Sequence, residues 1–94
     1  MALPVRLRPE AQKDMREAFH YYKRIRKELG ASFVATVHYP LDRIAANPRM
    51  HGVIRHGVRK TFLAAFPCCV YYRVEPTRVD VFAIVHTSRH PSTW

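Results

Sequence analysis

The last nine residues hold His86, Arg89, His90 and Trp94, and the apolar run Val81-Phe82-Ala83-Ile84-Val85 leads straight into them. A guanidinium and two imidazoles can meet an anion, and an indole can stack on a planar base or ring. Upstream, Arg55, His56, Arg59, Lys60 and Arg73 fall in or beside other strand-like segments. Neighbouring strands lie only about 5 Å apart, so Arg59, Lys60 and Arg89 are expected around one concave face suited to a phosphate backbone. Each residue also has a plainer reading. Arg and Lys are ordinarily solvated. His86 ends an apolar strand, where a hydrogen-bonded terminus competes with a general acid or base. Trp94 can dock on the core as well as on a partner.

Sixteen Lys and Arg against seven Asp and Glu leave a charge of +9 on 94 residues. Such a surface attracts polyanions and acidic peptides alike through long-range, salt-sensitive forces. Lys23-Arg24-x-Arg26-Lys27 reads as a solvated helix face rather than a nucleic-acid contact. Cys68 and Cys69 are adjacent, and neighbours on a strand point to opposite faces, so no ordinary disulfide joins them. Neither Cys-x-x-Cys nor His-Glu-x-x-His occurs, and Gly30, Gly52 and Gly57 build no phosphate loop. No metal site and no cofactor are therefore expected. The chain shows no cationic leader before an apolar stretch and no run of about 18 apolar residues, which points away from the membrane and toward a reducing, cytoplasmic setting.

These groups need elements to position them. The length suits a single domain, 1–94. Val5-Arg6-Leu7 alternates like a first strand, and Pro9 with Glu10 opens a helix. Ala11, Met15, Ala18, Tyr22, Ile25 and Leu29 then mark one apolar stripe, with Gly30 as the expected stop. A second helix is expected from near Ser32 to Asn47-Pro48, with Phe33, Val37, Leu41 and Ile44 on one face and a perturbation at Pro40. Three strands follow, Val58 to Phe66, Cys69 to Glu75 and Arg78 to His86, the last two joined by a tight turn at Pro76-Thr77. In the last, Val79, Val81, Ala83 and Val85 alternate with Phe82 and Ile84, which places it centrally with both faces covered. The result is an α+β domain of order β-α-α-β-β-β, a helical hairpin on one face of a small, mainly antiparallel sheet. Met15, Tyr22, Ile25, Phe33, Val37 and Ile44 are expected to pack on Val70, Tyr72, Val81 and Ala83. One tyrosine of each pair, Tyr21/Tyr22 and Tyr71/Tyr72, is expected in the core and the other left for a partner.

Ala11-Gln12-Lys13-Asp14, Asn47-Pro48, Gly57-Val58-Arg59, Phe66-Pro67-Cys68-Cys69-Val70-Tyr71-Tyr72-Arg73-Val74 and His86-Thr87-Ser88-Arg89 occur in that order. In order, spacing and chain length they resemble the RelE/ParE superfamily of bacterial toxins. The resemblance implies the toxin of a type II toxin-antitoxin module, linked to growth inhibition and plasmid stabilisation. It also implies an acidic antitoxin that wraps the toxin in a hetero-oligomer. RelE-like members cleave messenger RNA on the ribosome with strand Lys and Arg and C-terminal groups, which here implies Lys60, Arg89 and His86. Cys69 stands where those nucleases carry an Arg, and Phe62 or Leu63 where they carry a second basic residue. ParE-like members act on DNA gyrase without known bond-breaking chemistry, and the Phe-Pro-x-x-Val-Tyr-Tyr pattern is more similar to theirs. The resemblance thus favours a non-enzymatic ParE-like toxin, with a ribonuclease as the alternative and a non-toxic binding module of the same fold as a second. Contacts with target or antitoxin are expected from Arg59, Lys60, Arg73, His86, Arg89, His90 and Trp94.

Overall fold

The computed structural model of the chain describes residues 3–86. There the periodic segments become β1 (Val5–Leu7), α1 (Pro9–Ile25), α2 (Lys27–Ala46), β2 (Val53–Arg55), β3 (Val58–Phe62), β4 (Cys68–Val74) and β5 (Val79–His86). The strands form one sheet in the order β1-β5-β4-β3-β2, antiparallel except for the parallel pair β1 and β5. Both helices contribute to one core against the sheet, so the expected α+β class is the one observed. No helix is long and apolar enough to cross a membrane among the described residues.

The helical hairpin turns in one residue. α1 ends at Ile25, Arg26 is extended (φ −160°, ψ 134°), and α2 begins at Lys27 rather than near Ser32. Arg26 caps both helices, its N–H donating to the Tyr22 carbonyl at 3.1 Å and its carbonyl accepting from Leu29 at 3.0 Å. No Gly, Pro or Asn marks this corner, so the apolar stripe reads straight through it. Two expectations fall with it. Ile25 is 60% exposed instead of buried. Gly30 is not a stop but a buried residue of α2, where a Cβ would lie 3.1 Å from the Phe19 ring and Lys23 Cβ and 3.2 Å from the Phe19 carbonyl. Its missing side chain is what lets the helices approach. Tyr22, Phe33 and Phe66 then lock helices to loop, their ring centroids 4.8 to 5.3 Å apart.

The sheet holds one strand more than expected, β2. His56 (φ 50°) and Gly57 (φ 75°) are both left-handed between the paired Arg55 and Val58, as a two-residue type I′ hairpin requires. β3 stops at Phe62 rather than Phe66, and Phe66 folds back into the core.

β5 changes phase part-way. Val79 and Val81 face the helices together with Cys68, Val70 and Tyr72 of β4. The pairing then steps from Tyr72↔Val81 to Tyr71↔Ala83, leaving Phe82 as an extra residue, which is a β-bulge. Beyond it Ile84 joins the core under the helices, while Phe82, Ala83 and Val85 pack on the helix-free face against Val58, Cys69 and Tyr71. The uniform alternation expected of β5, with Ala83 under the helices and Ile84 opposite, is thereby inverted. β1 accompanies β5 only as far as Val81, and past its end Asp14 supplies the partner, Oδ2 accepting the Ile84 N–H at 3.0 Å. Ala11, fully buried one turn earlier, brings α1 down to the sheet.

Asp14→Ala strands the Ile84 N–H and is expected to cost about 1 to 3 kcal/mol in urea unfolding. Burial raises the Asp14 pKa against the pull of that hydrogen bond. Its contribution to stability is therefore complete below the ordinary carboxylate range and is lost as pH rises through the raised value. Asp14→Asn keeps an acceptor and removes the titration, so its stability relative to wild type should climb between acid and neutral pH. A flat difference would contradict that assignment. Gly30→Ala, although helix-favouring, should destabilise by about 1 to 3 kcal/mol because backbone and a side-chain stem oppose the new methyl.

Candidate functional site

Alternation along β3 splits two cations that are neighbours in sequence. Arg59 pairs with Tyr72 on the helix side and donates from Nη1 to the His51 carbonyl. Lys60, opposite Tyr71, stands on the helix-free face with Nζ 5.2 Å from the Phe62 ring centroid. Arg73, opposite Val58, shares that face, its guanidinium 6.0 Å from the Phe82 ring. Both distances suit cation–π attraction. His86 closes β5 opposite Cys68, whose Sγ lies 4.0 Å from the Tyr22 hydroxyl in the helix-side core. Two strands and three residues of register separate Lys60 from His86, about 14 Å between Cα atoms at ordinary strand spacing and rise. The two occupy opposite faces. Arg89, His90 and Trp94 lie outside the described residues.

Between the two cation–aromatic pairs the helix-free face is closed by its own side chains. Val58, Cys69, Tyr71 and Ala83 form a second buried cluster there. Burial raises the Cys69 thiol against the pull of Lys60, and it raises the Tyr71 phenol, to which Cys69 adds. Cys69 is therefore a neutral thiol at pH 7. Tyr71 and Tyr72 are both buried, so neither is left for a partner. Of the other pair, Tyr22 packs on the core and Tyr21 is exposed, as expected. What the face offers is Lys60, Phe62 and Arg73, with Phe82 and Val85 half-buried beside them.

At the β4–β5 turn end of this face, Arg8, Arg73, Glu75, Asp80 and Phe82 line a hollow of about 290 Å³. Asp80 is buried; Arg78 Nε donates to its Oδ1 at 2.8 Å, and Arg8 Nη1 lies 3.7 Å from Oδ2. The Arg78 hydrogen bond holds the Asp80 carboxyl below the usual range against the opposing effect of burial. Sequence reasoning passed over Asp80 because an isolated acid in a valine-rich strand carries no motif. Its signal was the alternation itself, which sets a charge between Val79 and Val81.

A helical hairpin laid on a mainly antiparallel sheet is an arrangement this chain shares with known proteins. The family model described as the ParE toxin of the type II toxin-antitoxin system parDE matches residues 5–91, and the chain belongs to that family. A solved chain titled as the chromosomal ParDE TA system from P. aeruginosa has the same fold. It superposes with a TM-score of 0.80 at 15% identity, over 90% of this chain and 96% of that one. No curated protein sequence matches.

The depressed Asp80 pKa means that its stabilisation is present above the ordinary carboxylate value and is lost as pH falls through the lowered one. Asp80→Asn should therefore melt below wild type at pH 7, and thermal melts should converge as pH falls through that lowered value. A gap that persists below it would assign the loss to packing rather than charge.

Proposed function

We propose that this toxin arrests growth by binding DNA gyrase in the cytoplasm, without bond-breaking chemistry of its own, and that an antitoxin with an acidic segment neutralises it. The observation that carries the non-enzymatic reading is the separation of Lys60 from His86. Metal-free RNA cleavage needs, at one phosphate, a group that takes the 2′-hydroxyl proton and cations that neutralise the pentacoordinate charge. Two groups on opposite faces of a sheet, about 14 Å apart along its lattice, do not meet at one phosphate. Cys69, at the position of a nuclease Arg, is a buried, neutral thiol. Phe62 is exposed where a second basic residue would serve.

The charge of +9 suits an acidic antitoxin, with electrostatics mainly speeding encounter. Lys60 and Arg73 supply target contacts from the helix-free face. His86, Arg89, His90 and Trp94 supply them from the exit of β5, and Arg59 contributes from the opposite side.

Purified protein is expected to impair supercoiling by gyrase and to leave ribosome-bound messenger intact. Trp94→Ala or Arg89→Ala should weaken toxicity with an unchanged circular dichroism spectrum. Cleavage of messenger at the ribosomal A site, lost on Lys60→Ala or Arg89→Ala, would replace this reading with a ribosome-dependent endoribonuclease.

A further inference from the structure

Among the described residues, four of the six exposed large hydrophobic side chains, Tyr39, Val53, Ile54 and Phe62, border one channel. It consists of two adjoining cavities of about 420 and 520 Å³ that share His51, Thr61 and Phe62, with α2 on one side and β2 on the other. Its floor is an unfinished sheet edge. β2 pairs only with Val58 and Arg59, so β3 runs on past its neighbour. Leu63 donates its N–H to the Cys68 carbonyl across the β3–β4 ladder. Alternation along an antiparallel ladder then turns Thr61 toward β4 and leaves the N–H and C=O of Phe62 directed into the channel.

The rim is cationic. Arg43 lies 5.8 Å from the Tyr39 ring and Lys60 5.2 Å from the Phe62 ring, and no Asp or Glu lines either cavity. We infer that this channel receives an extended polypeptide segment that alternates apolar and acidic side chains and adds to β3 at Phe62. Its apolar side chains enter the two cavities and its carboxylates meet Arg43 and Lys60. An unpaired backbone rung supplies hydrogen bonds to a peptide, and flanking hollows select alternate side chains. A second copy of this chain would bring the same cations face to face. A nucleic-acid strand would leave the Phe62 backbone groups and the aliphatic Val53 and Ile54 unmatched. The assignment deepens the antitoxin half of the proposed function and rests on it, placing the neutralising segment beside β3 rather than on the Arg73 end of the helix-free face.

The test titrates the full chain with a synthetic peptide alternating Leu and Glu, with a Leu-Lys peptide and an oligothymidine as controls. The Leu-Glu peptide should bind alone, more weakly as salt rises, and slow hydrogen exchange at the Phe62 amide. Tyr39 and Phe62 are 65% and 60% exposed, so Tyr39→Ala and Phe62→Ala should fold normally and weaken binding at least about tenfold, the loss expected of one aromatic anchor. Unaltered exchange at Phe62, indifference to both substitutions, or tighter binding of oligothymidine would overturn the assignment. Co-expression with the cognate antitoxin separates the two ideas. If the antitoxin rescues growth and binds both variants as tightly as wild type, the channel assignment fails and the toxin–antitoxin reading stands. If the chain never inhibits growth, that reading fails, and the peptide titration alone decides the channel.

Discussion

One hydrogen bond between the first helix and the last strand holds the two together just past the point where that strand changes phase. The bulge at Phe82 lets β5 place Val81 and Ile84 under the helices although they stand three positions apart, a spacing that no straight strand allows. β1 ends before this stretch of β5, and an unmet buried N–H there is worth about 1 to 3 kcal/mol, comparable to burying one large aliphatic side chain. Asp14 meets the Ile84 N–H from α1, so the helix satisfies the strand's backbone as well as covering its apolar face. The same bulge puts Phe82 and Ala83 together on the other face, and Phe82 there lies beneath the Arg73 guanidinium. Core and helix-free face thus share one irregularity.

The periodic parts of the chain were legible from residues alone. Ala11, Met15, Ala18 and Tyr22 repeat at helical steps and pack on the core, as do Phe33, Val37, Leu41 and Ile44. The misses have particular causes. The Arg26 corner has no residue type that forces it, because packing against Phe19 through Gly30 sets the turn rather than local propensity. β2 was hidden in a polar stretch, although His56-Gly57 between Val53-Ile54-Arg55 and Val58-Arg59-Lys60 is a turn dipeptide between two strand-like runs. The β5 bulge involves Phe82, a residue at home on either face, and Asp14, which meets Ile84 just past it, lies 70 positions from that partner. The Ala-x-x-Asp signature was visible, but its role appears only where Asp14 meets Ile84.

The candidate surface was legible as a list and not as a map. Arg59 and Lys60 are adjacent, and that adjacency is what separates them on a strand of period two. Arg73 reaches Lys60's face through pairing across β3 and β4, a relation that depends on register. Cys69 and Tyr71 bring a thiol and a phenol to the same face, yet both lie buried with Val58 and Ala83. Positive charge is thus distributed around a sealed patch, and it frames apolar ground at the rim rather than a central basic floor.

The parallel pairing of β1 with β5 joins the first strand to the last: Val5 sits beside Val79 and Leu7 beside Val81. Ribosomes deliver the amino end first, so β1 and Asp14 emerge long before any partner exists for them. The helical hairpin can form from local contacts as it appears, whereas its union with the sheet spans most of the chain and comes late. A nascent or truncated chain without β5 holds an unpaired edge, an unmatched carboxylate and a bare apolar stripe. Order of synthesis therefore withholds the finished fold until β5 has been made.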